Sequence, residues 1–430
     1  MLASLVVLAL AAPPQPPLSL ADAAALARTH SLGARAGRAR LLGTMVQRDL
    51  LTDNTWPTIS LGLTGQYTQL PADSPLLAFL GSGGGGLVGF PAPGAVLDTT
   101  IGAQQVLFDA FALHDSLVIS DDQIAMGRLQ IAQAEADAMG AAAVAYFAVL
   151  KAEGLAEVAT TSVKQAQEHL RLGGERLKAG SGTRAEVLTQ RANLASAQGN
   201  LITARNQANL ARLQLDKALD TPVSGRTLVK EPDVPDLNLD IDQELAAGLT
   251  RRPEVQTQAL KQHLDEARAS LEGRAYWPTF TGNTSWAQRG LYQGQFLAAV
   301  NMRWNLFDGF KTRDKIAAAK ADADSDAIAL EEARQDIALE VRQQAQARQE
   351  ARDRIAIARE GLAAADEAYR ISIQRFKLGF STNAELLDSR VALTSARNTY
   401  IQAQHDLRVA QIRLAKALGV DMATYLGASR

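Results

Sequence analysis

The chain repeats itself. The stretch "RLKAGSGTRAEVLTQR" at 176–191 returns as "RFKLGFSTNAELLDSR" at 375–390. "LFD" occurs at Leu107-Phe108-Asp109 and at Leu306-Phe307-Asp308, and "KAL" begins at Lys217 and Lys416. From Gly180 to Gly379 the displacement is 199 positions, and the other two pairs share it. "WPT" is displaced by 221, from Trp56 to Trp277, so the first copy carries 22 extra residues (221 minus 199) between this motif and its "LFD". A sequence written twice folds as two copies of one supersecondary unit, which constrains the architecture before any other signal is weighed.

The extra residues lie in "LPADSPLLAFLGSGGGGLVGFPAPG", which reads as a long Gly- and Pro-rich loop; its counterpart is the short "QRGLYQG" at 288–294. The sequence on either side has period two. Ile59, Leu61, Leu63, Gly65 and Tyr67 alternate with Thr58, Ser60, Gly62, Thr64 and Gln66, and Phe296, Ala298, Val300, Met302, Trp304 and Leu306 alternate with a smaller or more polar set. That period predicts a β hairpin in each copy, at about 56–108 and about 277–307.

All four Trp fall in these segments, and Phe108 and Phe307 mark where strand gives way to helix. Aromatics at the ends of such strands, here Trp56, Phe108, Trp277, Trp304 and Phe307, suit the interfacial girdles of a transmembrane barrel. An ordinary hairpin packed on helices would also accept them. Four strands cannot close a membrane barrel and lipid does not tolerate free strand edges, so membrane insertion would require several chains to share one barrel.

The remainder reads as helix. About 70 Pro-free residues separate each Asp of "LFD" from the following Gly turn, a rod of roughly 105 Å at 1.5 Å per residue. Helices of about 36 residues follow each turn, and segments of similar length, 19–55 and 239–275, lead into the Trp-Pro sites. Two short helices end to end match one long helix, joined at mid-height by the Pro-rich stretch 220–240. Val187, Leu194, Leu201, Ala208 and Leu215, and Leu386, Leu393, Tyr400, Leu407 and Leu414, recur every seven residues and predict a coiled-coil seam.

The interruption between long and short helix has its own chemistry. Lys178 then Gly180, and Lys377 then Gly379, are helix stops; Thr183 with Glu186, and Thr382 with Glu385, are capping boxes that start the next helix. The copies differ where Asp388 replaces Thr189; Glu385 and Asp388 are three apart, on one helix face.

Several classes are excluded. A formal charge of -2 offers nucleic acid no basic surface, and the absence of Cys removes disulfides and thiolate chemistry. The five His are scattered, and the Gly81–Gly86 run lacks a following helix or a Lys-Ser/Thr, so no catalytic, cofactor or metal site is expected. The N-terminus has an apolar run of about 11 residues followed by a Pro cluster, suiting a signal peptide, and no later stretch reaches the 18 to 20 apolar residues of a membrane helix.

The order and spacing of "WPT", "LFDAF"/"LFDGF" and the shared "RxKxGxxTxAExL" resemble the TolC-like outer-membrane efflux proteins over residues 19–420. The resemblance implies a mainly α chain with β hairpins: a helical coiled-coil barrel continuous with a transmembrane β-barrel, completed by a homotrimer giving four strands per chain. It implies a passive, non-enzymatic duct in the outer membrane of a Gram-negative bacterium with a periplasmic tunnel. An inner-membrane pump and a periplasmic adaptor would be its partners, in tripartite efflux or type I secretion. The expected map is a signal peptide and Pro-rich lead at 1–18, a first repeat at 19–219 with tip turn 178–183, and a linker at 220–240. A second repeat at 241–420 follows with tip turn 377–382, then a tail at 421–430. By the same resemblance Gly180, Thr183, Leu378, Gly379, Phe380 and Thr382 are adaptor-facing, and Asp388 with Glu385 lines the constriction. The competing reading, a coiled-coil scaffold or interaction protein, shares the heptads and turns but has no need of two Trp-rich hairpins.

Overall fold

The computed structural model describes residues 16–68, 94–223, 225–230, 235, 241–289 and 294–428. The expected signal peptide (apart from residues 16–18), the Gly-rich loop with its Gly81–Gly86 run, and much of the linker lie outside the described residues. Two compact units are formed: one from residues up to Arg40, 127–258 and 328 onward, the other from 41–126 and 259–327.

The second unit carries a four-stranded antiparallel sheet in the order β1 (Thr58–Thr68), β2 (Gly94–Phe108), β3 (Thr279–Arg289) and β4 (Gln295–Arg303). Paired residues of neighbouring antiparallel strands share a face. Leu61 pairs with Ile101, Ile101 with Trp286, and Trp286 with Phe296, making one apolar row across the whole sheet. All four side chains are exposed, as are Ile59, Leu63, Val300 and Met302 on the same face. The opposite face has Thr58, Gln104 and Asn283 in one row and Ser60, Gly102 and Ser285 in the next, with Leu297 an apolar exception. An irregularity between Val106 and Phe108 shifts the register so that Phe108 joins Phe280 and Met302 on the apolar face.

The Trp residues do not all sit in strands, as the sequence suggested. Only Trp286 does. Trp56 and Trp277 immediately precede β1 and β3, and β4 stops at Arg303, leaving Trp304, Leu306 and Phe307 beyond it. Here the chain is already turning: the Trp304 indole donates to the Tyr276 carbonyl at 3.0 Å, beside a 3₁₀ turn at Arg274–Tyr276. The "LFD" motif is the strand-to-helix junction. Asp109 accepts from the Phe111 and Leu113 backbone N–H groups, with Ala110 and Phe111 left-handed, and starts α3 (Ala112–Lys178). Asp308 accepts from Thr312 N–H at 2.8 Å, with Gly309 and Phe310 left-handed, and starts α7 (Lys311–Lys377). Each of these two helices has 67 residues, about 100 Å of rise.

The remaining helices are α1 (Leu20–His30), α2 (Leu32–Asp53), α4 (Arg184–Leu219), α5 (Ile241–Arg251), α6 (Pro253–Gly273), α8 (Asn383–Ala417) and the single turn α9 (Met422–Tyr425). The two lead-in segments, read from sequence as continuous, each break at one residue. Arg252 precedes Pro253, whose ring disfavours helical backbone in the residue before it and itself suits a first helical position. Ser31 breaks the first; its hydroxyl accepts from Ala34 N–H, and Asp220 accepts from Leu32 N–H at 3.0 Å across 188 residues.

The core of the first unit gathers Leu20, Tyr146, Phe147, Leu215, Leu219, Ile412 and Met422. Among the described residues one helix, α3, contains a window apolar enough to cross a membrane by composition; its buried Ala142, Ala143, Tyr146 and Phe147 belong to this core. The Tyr146 hydroxyl reaches the Leu18 and Val229 carbonyls, both at 2.9 Å, clamping the short bridge between Leu18 and Leu228. The heptad residues Ala208, Leu215, Leu386, Leu393 and Leu414 are buried, as a coiled-coil seam requires.

Candidate functional site

Both interruptions fold into the same hairpin turn. Gly180 N–H bonds to Leu177 O and Ser181 N–H to Arg176 O; in the second copy Gly379 N–H bonds to Phe376 O and Phe380 N–H to Arg375 O. This double closure is a Schellman stop, which needs a left-handed residue; Gly180 has φ 74° and Gly379 φ 83°. Thr183 then caps α4, with Glu186 N–H donating to its hydroxyl and the Glu186 carboxylate returning to Thr183 N–H, closing the box. The second copy closes only half of it. Glu385 N–H donates to the Thr382 hydroxyl, but the Glu385 carboxylate takes the Ser381 hydroxyl at 2.6 Å. The first copy has Gly182 where the second has Ser381, so this alternative donor exists only once. The Ser381 hydroxyl holds the Glu385 carboxyl below the ordinary carboxylate range.

At the second turn Leu378 is 71% exposed and Phe380 73%, an apolar pair standing into solvent from a helical hairpin. Glu385 and Asp388 are both exposed on one face of α8, and Asp388 makes no ion pair among the described residues. Thr189, its counterpart, folds its hydroxyl back to the Ala185 carbonyl at 3.0 Å.

Three contacts missed by sequence reading join the two hairpins just behind the turns. The Arg176 guanidinium lies over the Phe376 ring at 4.8 Å. The buried Gln190 side-chain amide of α4 donates to the Asn383 side-chain Oδ1 of α8. His169 of α3 meets the Tyr369 hydroxyl of α7 at 3.2 Å. The only sequence signal was a polar residue inside an apolar stripe, and it says nothing about the partner.

In the sheet unit, Phe108 packs edge-on to Phe111 at 5.6 Å and Phe307 edge-on to Phe310 at 5.5 Å, while Trp56, Trp277, Trp304 and Phe307 are exposed. Tyr67, Trp286 and Phe296 make a second aromatic set at the hairpin-loop ends of the strands.

A sheet with one exposed apolar face, one open edge on each of β1 and β4 among the described residues, and helix pairs closed by matching tips suit a channel-forming outer-membrane class. The family model for outer membrane efflux proteins matches residues 23–221 and 246–420, and the chain belongs to that family. It is an outer-membrane efflux channel protein, not an enzyme. It is 25% identical over 346 residues to the outer membrane efflux protein BepC of Brucella suis biovar 1 (strain 1330), covering 76% of this chain and 74% of that one. It shares the fold of VceC from Vibrio cholerae (TM-score 0.77, 15% identity, 93% and 96% of the two chains). It also shares that of CusC (TM-score 0.79, 15% identity, 96% of each).

Proposed function

We propose that three copies of this chain complete one 12-stranded barrel and one helical duct, through which substrates pass passively to the exterior from an inner-membrane pump and a periplasmic adaptor. The observation that carries this reading is the sheet. Its apolar row Leu61–Ile101–Trp286–Phe296 is exposed on one face, and β1 and β4 each keep one unpaired edge among the described residues. In lipid such edges must be satisfied, and pairing β1 of one copy with β4 of the next does so. Trp56, Phe108, Trp277, Trp304 and Phe307 would lie at the membrane interface nearer the helices.

In this reading the turns around Gly180, Thr183, Gly379 and Thr382, with exposed Leu378 and Phe380, are the surface that meets the adaptor. Asp388 and Glu385 line the constriction, three copies of each favouring cations in a narrow bore. The weight put on Asp388 rests on one difference: the Glu385 carboxylate accepts from Ser381, whereas Asp388 makes no ion pair among the described residues.

Native mass spectrometry of the protein extracted from outer membranes tests the assembly. A heat-resistant species of three chains is expected. A monomer recovered in the aqueous fraction would support a scaffold instead.

A further inference from the structure

Behind the tips, three side chains from three helices form a polar cluster that neither conduction nor turn chemistry requires. His169 of α3 is 4% exposed; its Nε2 meets the Tyr369 hydroxyl of α7, and its Nδ1 is shut from solvent without a partner. Arg390 of α8 is 9% exposed, and its Nη1 is likewise enclosed and unpartnered. Arg390 makes no ion pair among the described residues, so its charge is buried without a carboxylate. Its repeat counterpart, Arg191, is exposed, so burial of this charge is a property of the second copy alone.

The imidazole has a narrow range of acceptable states. One ring nitrogen serves Tyr369, and the other has no hydrogen-bond partner among the described residues. Protonation would place an unanswered N–H donor and a second positive charge in an enclosed site that already holds one uncompensated cation. Burial, and then Arg390, push the His169 pKa down. The charges acting on His169 are Arg390 from α8 and Glu168 on its own helix, the latter already taken by Arg171 at 2.6 Å. Burial raises the Tyr369 pKa, with Arg390 and Arg397 of α8 acting against it.

We propose that the His169–Tyr369 contact is a proton-released latch between α3 and α7: acidification charges His169 beside Arg390 and parts the two helices behind the tips. Separated and solvated, the imidazole titrates near its ordinary value of about 6.5. The closed form therefore binds fewer protons than the parted form. Its stability is complete above about pH 6.5 and is lost as pH falls from there toward the depressed value, by up to tenfold per pH unit. Any effect on conduction rests on the reading of the tips as the gate, so the test follows the helix contact itself.

The measurement is hydrogen exchange by mass spectrometry on the full-length channel in detergent, between pH 7.5 and 4.5, corrected for intrinsic exchange. Protection of 165–178 and 366–377 is expected to fall below about pH 6.5, while the core around Tyr146 stays protected. His169→Gln keeps a hydrogen bond to Tyr369 but cannot charge, and its protection should be flat. Arg390→Gln should keep the onset but shrink the total loss. A flat wild-type profile, or an unchanged loss in His169→Gln, overturns the latch; if that variant does not assemble, an unchanged loss in Arg390→Gln overturns it. A pH-dependent loss of protection with unaltered conductance retains the latch and removes its link to the gate.

Discussion

Gln190 on α4 donates its side-chain amide to the side-chain Oδ1 of Asn383, the first residue of α8, and Gln190 is buried. One hydrogen bond therefore fastens the start of the second tip to the first. Gln190→Leu leaves the Asn383 side chain without its partner in a partly buried setting, at a cost of about 1 to 3 kcal/mol. Exchange of the amides at 184–195 should accelerate by roughly 5- to 140-fold, with the sheet unchanged, at about 1.4 kcal/mol per tenfold.

Tyr146 is the clamp of the helical core. Its hydroxyl is shared by the Leu18 and Val229 carbonyls, and burial pushes its pKa up to about 12. Tyr146→Phe should cost about 1 to 3 kcal/mol, seen as an earlier guanidinium unfolding midpoint. In ultraviolet titration the tyrosinate step that Tyr146 contributes near pH 10 in the unfolded protein should be absent from the native one.

Asp115 and Arg274 form a bidentate pair in the sheet unit, at 2.7 and 3.2 Å, with the carboxylate side chain only 8% exposed. The Arg274 hydrogen bond holds the Asp115 pKa down. The pair's stability is thus present above the ordinary carboxylate value of about 3.9 and is lost as pH falls through the lower folded value. Arg274→Met strands the buried carboxylate and should destabilise by about 3 kcal/mol or more at neutral pH. Thermal melts should show this penalty shrinking on acidification.

Gly294 sits under the Trp286 indole, where a Cβ would clash with the ring nitrogen. Gly294→Val should displace Trp286 from the row it shares with Phe296, and so lower the yield of heat-resistant oligomer in the outer membrane. An unchanged yield would show that the indole shifts without consequence.

What was legible in the sequence was local. The stops at Gly180 and Gly379 and the caps at Thr183 and Thr382 depend on residues within one turn, and the strand alternation of Ile59, Leu61 and Leu63 on the next residue but one. The break before Pro253 was equally local, though the reading by segment length passed over it. The break at Ser31 was not, because it involves Asp220, 188 residues away. Spacing alone makes Glu385 a capping-box partner equivalent to Glu186; the structure gives its carboxylate to Ser381, a donor the first copy lacks. The burial of His169, Gln190 and Arg390 follows from how one repeat packs on the other, which periodicity does not encode.

In the proposed channel the tips of three copies surround a bore whose charge comes chiefly from Asp388. Single-channel recording in planar bilayers, with a salt gradient, compares the wild-type protein with Asp388→Ala. Discrete cation-selective conductance is expected in the wild type, and a reversal potential moved toward zero in Asp388→Ala with Glu385 still in place. Absence of conductance steps, or the same reversal potential in both proteins, would contradict it.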